Sequence, residues 1–475
     1  MPPLSGAPEP PVERLAASAS RGPPIPIPLS TQAPAVPSPD IPTPIRTIAA
    51  FALLALLMLA VTLSTRQQTV PLPPAETPVA APWTTADARR TEAAGMEISI
   101  REALVVSPAP SSRRTWTRAL HAMGLTRQRP EPARQRFAEA LTADPPLPDA
   151  LVQQFLEITA ALFPGELLAE TARAASVTKS PKTFATAVHH LTRNHPERAA
   201  AWLPAVTAKF PQAQQHPILR VLLWQLHATA SQSWTRNLPD LRALLSAPFT
   251  DGSPIIFSLQ RHNRDWPGRA MLRLPDKSFA RLPDGSLFSV PQLARSVSSL
   301  PGVITNGNTP QGIHAWNGFA VSSSRYIGPT PNLQLSLPFE FPAHRFFFSP
   351  QPPPTMSEDA YASLLPAAWQ AWPPIWESFF AGMAGRSEII AHGTTIDPAW
   401  HHGQPWFPIS PSHGCLTTPE AWNPANGQRT ASAQHDLASM LQQHGLSRGY
   451  VVVIDFSAKE APVSTEEIAG FLAAP

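Results

Sequence analysis

The sequence predicts an α+β protein of several domains: a membrane anchor, an all-α domain and a mainly β domain with a helical insertion. Three observations support this prediction. An uncharged apolar segment lies near the N-terminus, a middle region repeats apolar residues at helical spacing, and short apolar runs bounded by turn residues follow residue 253. A chain of 475 residues with 43% hydrophobic residues is long and apolar enough for two or three domains with buried cores.

The first 85 residues predict a tail, an anchor and a linker. Residues 1–46 are mostly Pro, Ala and Ser, which predicts disorder. Residues 47–65 are uncharged, and as a helix they would extend roughly 28 Å, about one hydrocarbon thickness. A cleaved signal peptide and a buried core helix are the alternatives. Because 46 residues precede the segment and no clear cleavage site follows it, we predict a single-pass anchor. A Pro-rich linker follows at 66–85.

Residues 86–246 predict an all-α domain. Leu151, Phe155, Ile158 and Leu162 recur at i, i+4, i+7 and i+11, and prolines divide the region into short helices. Its early arginines form either a solvated helical face or a contact with an anionic partner, such as lipid headgroups or a cell-wall polymer.

Residues 253–456 predict a mainly β domain, with a helical insertion at 352–385 and a C-terminal tail at 457–475. The insertion is rich in aromatic residues, among them Trp372 and Trp376. They either form a lid over a substrate cleft or bury the insertion against the sheet.

Composition limits the function. Charged residues are 15% of the chain and the net charge is +3, which argues against a protein built to hold nucleic acid. The single cysteine, Cys415, excludes an intrachain disulfide, so the thiol is either buried and inert or free and reactive.

Two short segments provide what a cysteine nucleophile requires: a base and donors for an oxyanion. His392 in "IIAHGTT" (389–395) is the candidate base. In "SPSHGCLTT" (410–418), Gly414 allows a tight turn that directs the amides of His413, Gly414 and Cys415 at one oxygen. A buried structural thiol is one alternative. A zinc site is another, but adjacent histidines such as His401 and His402 rarely bind one ion, so we predict no metal and no cofactor.

These motifs resemble the signature of L,D-transpeptidases of the YkuD type, cysteine enzymes that remodel bacterial peptidoglycan. "GNTPQGIH" (307–314) is similar to the stretch that precedes the catalytic segments in that family. The resemblance covers roughly residues 253–456, and the N-terminal half contributes nothing to it.

The resemblance implies a role for each matching residue. Cys415 is the nucleophile, and His392 is the general base, with its ring oriented by a carbonyl near Gly393. The amides at 413–415 form the oxyanion hole, the His413 side chain shapes the pocket, and Ser412 tethers the loop. The remaining expected substrate-binding residues are Thr394, Thr417, Trp372 and Trp376.

Two departures from the family pattern stand out. Thr417 occupies a position where the family commonly has arginine, and Arg386 and Arg429 are candidate replacements. The spacing of His392 and Cys415 (415 − 392 = 23) is slightly long, and "HHGQPWFP" (401–408) is the extra loop.

The resemblance implies an enzyme that forms links between peptidoglycan stem peptides through a Cys415 acyl-enzyme, located on the periplasmic or cell-wall side of the cytoplasmic membrane. L,D-carboxypeptidase activity, D-amino-acid exchange and release of a wall-attached protein are alternatives at the same site. A non-catalytic cell-wall-binding scaffold, whose helical domain recruits protein partners, is an alternative from another class.

Overall fold

The computed structural model describes residues 79–231, 238–248 and 252–472, which belong to one compact unit. They form fifteen α-helices and a large, nearly closed β-sheet, which confirms the predicted combination of helices and sheet. Among these residues, no helix is both long and apolar enough to cross a membrane. The tail at 1–46 and the anchor at 47–65 lie outside the described residues.

Nine helices precede the sheet. Their bounds are α1 (Ala86–Leu104), α2 (Arg113–Thr126), α3 (Glu131–Thr142), α4 (Asp149–Leu162), α5 (Leu168–Val177), α6 (Pro181–Asn194), α7 (Ala199–Lys209), α8 (Pro217–Ser231) and α9 (Leu241–Ser246). The side chains of Thr85 and Ser180 cap α1 and α6 by accepting from amides three residues later. The apolar faces meet around Phe155, whose ring centroid lies 5.1 Å from that of Trp116 and 5.0 Å from that of Phe137.

Eight strands form the sheet in the order β3-β2-β1-β10-β4-β5-β6-β7. The ten strands are β1 (Ile255–Arg261), β2 (Gly268–Arg273), β3 (Ser289–Gln292), β4 (Gly312–Ala320), β5 (Asn332–Ser336), β6 (Ile390–His392), β7 (Leu416–Thr417), the separate pair β8 (Glu420–Trp422) and β9 (Arg429–Ser432), and β10 (Gly449–Ser457). The pairs β1–β10 and β6–β7 are parallel, and the other pairs are antiparallel. Leu293 and Thr417 exchange two backbone hydrogen bonds of 2.8 and 2.9 Å, which bring the two edges of the sheet together.

The remaining helices are α10 (Ala343–Phe346), α11 (Glu358–Ala362), α12 (Ala367–Gln370), α13 (Glu377–Met383), α14 (Ala433–Gln443) and α15 (Thr465–Gly470). Helices α11 to α13 lie in the predicted insertion. Tyr361 holds the insertion in place, because its hydroxyl donates to Ile375 O (2.8 Å) and accepts from Ile313 N of β4 (2.9 Å). Trp369 and Phe379 are fully buried. The aromatic residues of the insertion therefore pack it against the sheet, as the second alternative expected.

The helical part and the sheet share one hydrophobic core. At their boundary Trp224 of α8 meets Phe380 of α13 edge to face, with 6.5 Å between ring centroids. Trp369 Nε1 donates to Asp240 O at 3.1 Å. The helices before the sheet therefore pack directly on the part of the chain that contains the sheet.

Both ends of the described chain are also packed. In the predicted linker, Ala81 N donates to Gly427 O (2.8 Å), and residues 79–85 lie along the β8–β9 pair. In the predicted C-terminal tail, Glu467 of α15 binds the buried Arg261 guanidinium through two contacts of 2.6 Å. The linker and tail predictions missed both contacts because each joins residues far apart in sequence.

Candidate active site

Parallel pairing of β6 and β7 places Cys415 and His392 on one face of the sheet. Ala391 pairs with Leu416 and His392 with Thr417, so Cys415, directly before β7, lies beside Ile390. Cys415 lies in the bend that precedes β7. Extending the register by this one residue puts Cys415 and His392 on the same side, because side chains alternate along strands. Their backbones are offset by about 6.6 Å along the strands and about 4.8 Å across them. This separation is within reach of a thiol and an imidazole.

His392 has the geometry of a neutral general base. Its Nδ1 forms a hydrogen bond with the Gly393 carbonyl oxygen, as the resemblance implies. An imidazole that donates from Nδ1 leaves the Nε2 lone pair free to accept a proton. Burial lowers the pKa of His392 to about 4, against the raising effect of this carbonyl. The ring is therefore uncharged at neutral pH and able to accept the thiol proton.

Gly393 has no room for a side chain. A Cβ there would lie 2.0 Å from the Glu420 carboxyl carbon. Burial raises the pKa of Glu420 to about 7, and Ser432 Oγ donates to its carboxylate at 2.6 Å. Glu420 thus packs against the backbone of Gly393, whose carbonyl orients His392. The motif search missed this residue because it lies outside both motifs.

Cys415 is a partly exposed thiol next to a buried cation. Its Sγ donates to Glu388 O at 3.9 Å, and in the described part of the chain no hydrogen bond joins it to His392. Burial raises the pKa of Cys415, whereas hydrogen bonding to the Ile390 backbone and the charge of Arg386 lower it. The raised pKa of the thiol and the lowered pKa of the imidazole favour a neutral resting pair.

Arg386, one of the two candidate replacements for the arginine common in the resembled family, contacts the loop at 410–418 on the side of Gly414. Its guanidinium donates to the carbonyls of Gly302, Gly307 (2.7 Å) and Asn308 (2.8 Å). It packs so tightly on Gly414 that a Cβ at that glycine would lie 1.9 Å from Nη2. The other candidate, Arg429, donates instead to Thr330 Oγ1 at 3.0 Å.

Ser412 tethers the loop at 410–418, as the resemblance implies. Its Oγ donates to Cys415 O (2.9 Å) and accepts from Gly414 N (3.0 Å). The predicted oxyanion hole needs a correction, because this bond occupies the Gly414 amide. The amides of His413 and Cys415 make no hydrogen bond to another described residue, so they are the remaining donors. Gly414 has φ +115°, which strongly favours glycine.

The segment "GNTPQGIH" contacts the loop at 410–418 directly. The buried Thr309 hydroxyl donates to Gly414 O at 2.9 Å. Gly307 O accepts from Arg386, which contacts Gly414 on the other side. The two segments behind the resemblance are therefore adjacent in space.

Thr417 and Thr394 are placed as structural residues, which corrects the expectation that they contact substrate. Thr417 is 1% exposed, and its hydroxyl donates to Ser410 O at 2.9 Å. Thr394 is 3% exposed and accepts from Ile396 N at 3.1 Å. Both hydroxyls are used within the loops, so neither points at a cleft.

Trp372 and Trp376 line cavities that do not include Cys415, which also differs from the expected substrate contact. Trp372 lines a cavity between the helical part and the sheet, and Trp376 lines a groove beside α8. Cys415 and His392 line neither. Both indoles lie where the insertion meets the helical part. The spacing of residues in the sequence does not predict this position.

The helical part supplies one side of the site. His121 of α2 stacks on the ring of His413, with centroids 5.7 Å apart and planes at 21°. It also lies 5.6 Å from the Tyr326 ring. Partial burial and the neighbouring His121 lower the pKa of His413. His121 was missed because it carries no local signal: it lies on an ordinary amphipathic helix.

The extra loop at 401–408 packs under the helical part. Trp406 lies between two guanidinium groups, with Arg295 3.9 Å and Arg127 5.3 Å from its ring centroid. His401 packs near Trp406, whereas His402 packs near Phe407. Within the described residues, no group of three or more histidine, cysteine or acidic side chains is arranged to hold a metal ion.

Comparison of the chain with protein-family models, with curated proteins and with solved structures finds no match. The functional argument therefore depends on the residues of the site and their geometry.

Proposed function

We propose that the protein is a peptidoglycan L,D-transpeptidase that works through a Cys415 acyl-enzyme. One observation carries the proposal: a partly exposed thiol and a neutral histidine, oriented through Nδ1, lie on one face of adjacent parallel strands. Arg386 behind the loop and free amides at His413 and Cys415 supply the electrostatic support that acyl transfer requires.

In the first step, the Cys415 proton moves to His392 Nε2 as Sγ attacks the carbonyl carbon at the L-centre of diaminopimelate in a tetrapeptide stem. The carbon–nitrogen bond to D-Ala then breaks. His392 returns its proton to the leaving amine, and a thioester remains. In the second step, the side-chain amine of another stem attacks the thioester, forms the new amide and releases the thiol.

Hydrolysis of the same thioester is the second candidate function. It is favoured by the buried Thr417, which stands where the family commonly has arginine and offers no charge to an incoming stem. With water as acceptor, the site is an L,D-carboxypeptidase.

The location belongs to the same proposal. Segment 47–65 would anchor the chain in the cytoplasmic membrane, with the catalytic part on the periplasmic or cell-wall side, where stem peptides occur.

The test uses the full chain in detergent, with disaccharide-tetrapeptide stems as substrate and mass spectrometry of the products. Dimers joined 3→3 that are absent with Cys415→Ala are the expected result. Tripeptide alone would select the carboxypeptidase. If the wild-type protein and the variant both leave the stems unchanged, the catalytic proposal is wrong and the scaffold alternative gains support.

Thiol labelling provides an independent check. A catalytic Cys415 reacts with iodoacetamide in the folded protein, and His392→Ala slows this reaction. Labelling that requires unfolding would identify a structural cysteine.

A further inference from the structure

The cavity that Trp372 lines, between the helical part and the sheet, has a volume of about 620 Å³. Helices α6 and α8 form one wall, and the β1–β2 turn, residues 299–311 and the insertion form the other. Its volume is typical of cavities that bind small ligands. Neither Cys415 nor His392 lines it, so it is separate from the candidate active site.

The lining combines aromatic rings with planar polar groups. The Trp224 and Trp372 side chains line it from opposite walls. His189 and Gln225 add polar groups that the protein leaves unused: in the part of the chain that the structure describes, His189 Nε2 and Gln225 Oε1 are buried without a hydrogen-bond partner. Buried polar atoms are normally paired. Both atoms have almost no accessible surface, so the side chains of His189 and Gln225 must rotate before these atoms can bind hydroxyl or amide groups of a ligand.

The charges in the lining are mostly neutralised. Arg264 pairs with Asp455, and Glu377 accepts from Gly302 N (2.7 Å) and Gln311 N (3.0 Å). Arg193 is different: among the described residues it makes no ion pair or hydrogen bond, and it is exposed at the rim. A ligand with one negative charge near the rim would complement this cavity.

Indole rings pack against the C–H faces of sugar rings, while amide, imidazole and guanidinium groups bind hydroxyl, acetamido and carboxylate groups. We propose that this cavity is a glycan subsite that binds a carboxylate-bearing N-acetylamino-sugar unit. The sugar class follows from the lining. The choice of cell-wall glycan as its source rests on the proposed function, and it refers to stretches without stem peptides, because a stem converts the muramic acid carboxylate into an amide.

The subsite is linked to the catalytic loop through one side chain. Gly302 and Asn308 line the cavity, and their carbonyls accept from Arg386, which packs on Gly414. A glycan bound here would contact the same backbone that supports the loop of Cys415.

Calorimetric titration of the full chain in detergent tests the proposal with two probes. One is the peptide-free disaccharide of N-acetylglucosamine and N-acetylmuramic acid, which carries a free carboxylate. The other is N,N′-diacetylchitobiose, which is neutral. Both should bind, the acidic probe more tightly, and Trp224→Ala should weaken both by about tenfold, whereas Trp224→Phe should retain most of the affinity.

Arg193→Ala should remove the preference for the acidic probe and leave the affinity for chitobiose unchanged. Arg198→Ala is the matched control, since Arg198 is exposed nearby but does not line the cavity. The proposal is overturned if neither probe binds at millimolar concentration. It is also overturned if Trp224→Ala binds both probes as tightly as the wild-type protein, provided that a cooperative thermal transition shows that the variant is folded.

Two measurements together separate this proposal from the proposed function. One is the sugar titration, repeated with Cys415→Ala, and the other is the stem-peptide assay described above. Sugar binding without any reaction of stem peptides would support the subsite and refute the enzyme. Turnover of stems without sugar binding would do the reverse. Tighter binding of chitobiose than of the acidic probe would refute the assignment to an acidic glycan.

Discussion

The substitution Arg386→Met tests whether a buried guanidinium supports the loop that carries Cys415. Methionine keeps most of the length and volume but removes the donors to the carbonyls of Gly302, Gly307 and Asn308. A buried acceptor that loses its donor costs about 1–3 kcal/mol, and the relief of no longer burying a charge offsets part of this cost. We expect the free energy of unfolding to fall by about 3 kcal/mol.

The same substitution acts on the thiol. Burial raises the pKa of Cys415 and Arg386 lowers it, so removing the cation should move the pH profile of iodoacetamide labelling to higher pH. Urea denaturation measures the change in the free energy of unfolding. Labelling reactions quenched at a series of times and pH values measure the pH profile of the thiol. Arg429→Met is the matched control, because that guanidinium contacts Thr330 and should leave the labelling profile unchanged. Wild-type behaviour of Arg386→Met in both assays, or an equal pH shift in the control, would refute the reasoning.

Three further predictions concern the loop and its base. Gly414→Ala places a Cβ 1.9 Å from Arg386 Nη2 at φ +115°. The resulting strain should lower the free energy of unfolding by about 3 kcal/mol in urea titrations, and a loss below about 1 kcal/mol would contradict it. The pKa of His392 is about 4 in the folded protein against 6.5 unfolded, so between these values the unfolded state binds the extra proton and stability falls as pH falls. His392→Asn should therefore lose about 3 kcal/mol less than the wild-type protein between pH 6.5 and 4 in urea titrations, and equal losses would show that the ring is not buried neutral. Thr417→Val removes the donor to Ser410 O and should cost about 1 kcal/mol of stability with an unchanged KM, whereas a raised KM would restore Thr417 as a substrate contact.

The described fold shows why some features were predictable. Helical and strand patterns depend on the spacing of apolar residues over a few positions. The structure forms helices and strands where those patterns occur. The bond of His392 to Gly393 and the tether from Ser412 to Cys415 join residues at most three positions apart. Such contacts follow from local sequence, because the short span between the residues already limits their geometry.

Other features required the whole chain to be folded. His121 reaches His413 from a helix almost 300 residues earlier (413 − 121 = 292), and Arg386 reaches the loop from the end of the insertion. Thr417 became a buried residue because it pairs with Leu293 where the sheet closes. No pattern of neighbouring residues encodes these positions.

The sequence by itself thus determined which residues carry the candidate chemistry: one thiol, one histidine and the glycines that allow tight turns around them. The tertiary structure decided which charges surround the thiol, which amides remain free and where the helical part meets the site. The physical reason is that the identity of a reactive group is a property of its side chain. Its pKa, burial and hydrogen-bond partners depend instead on segments that long-range packing brings together.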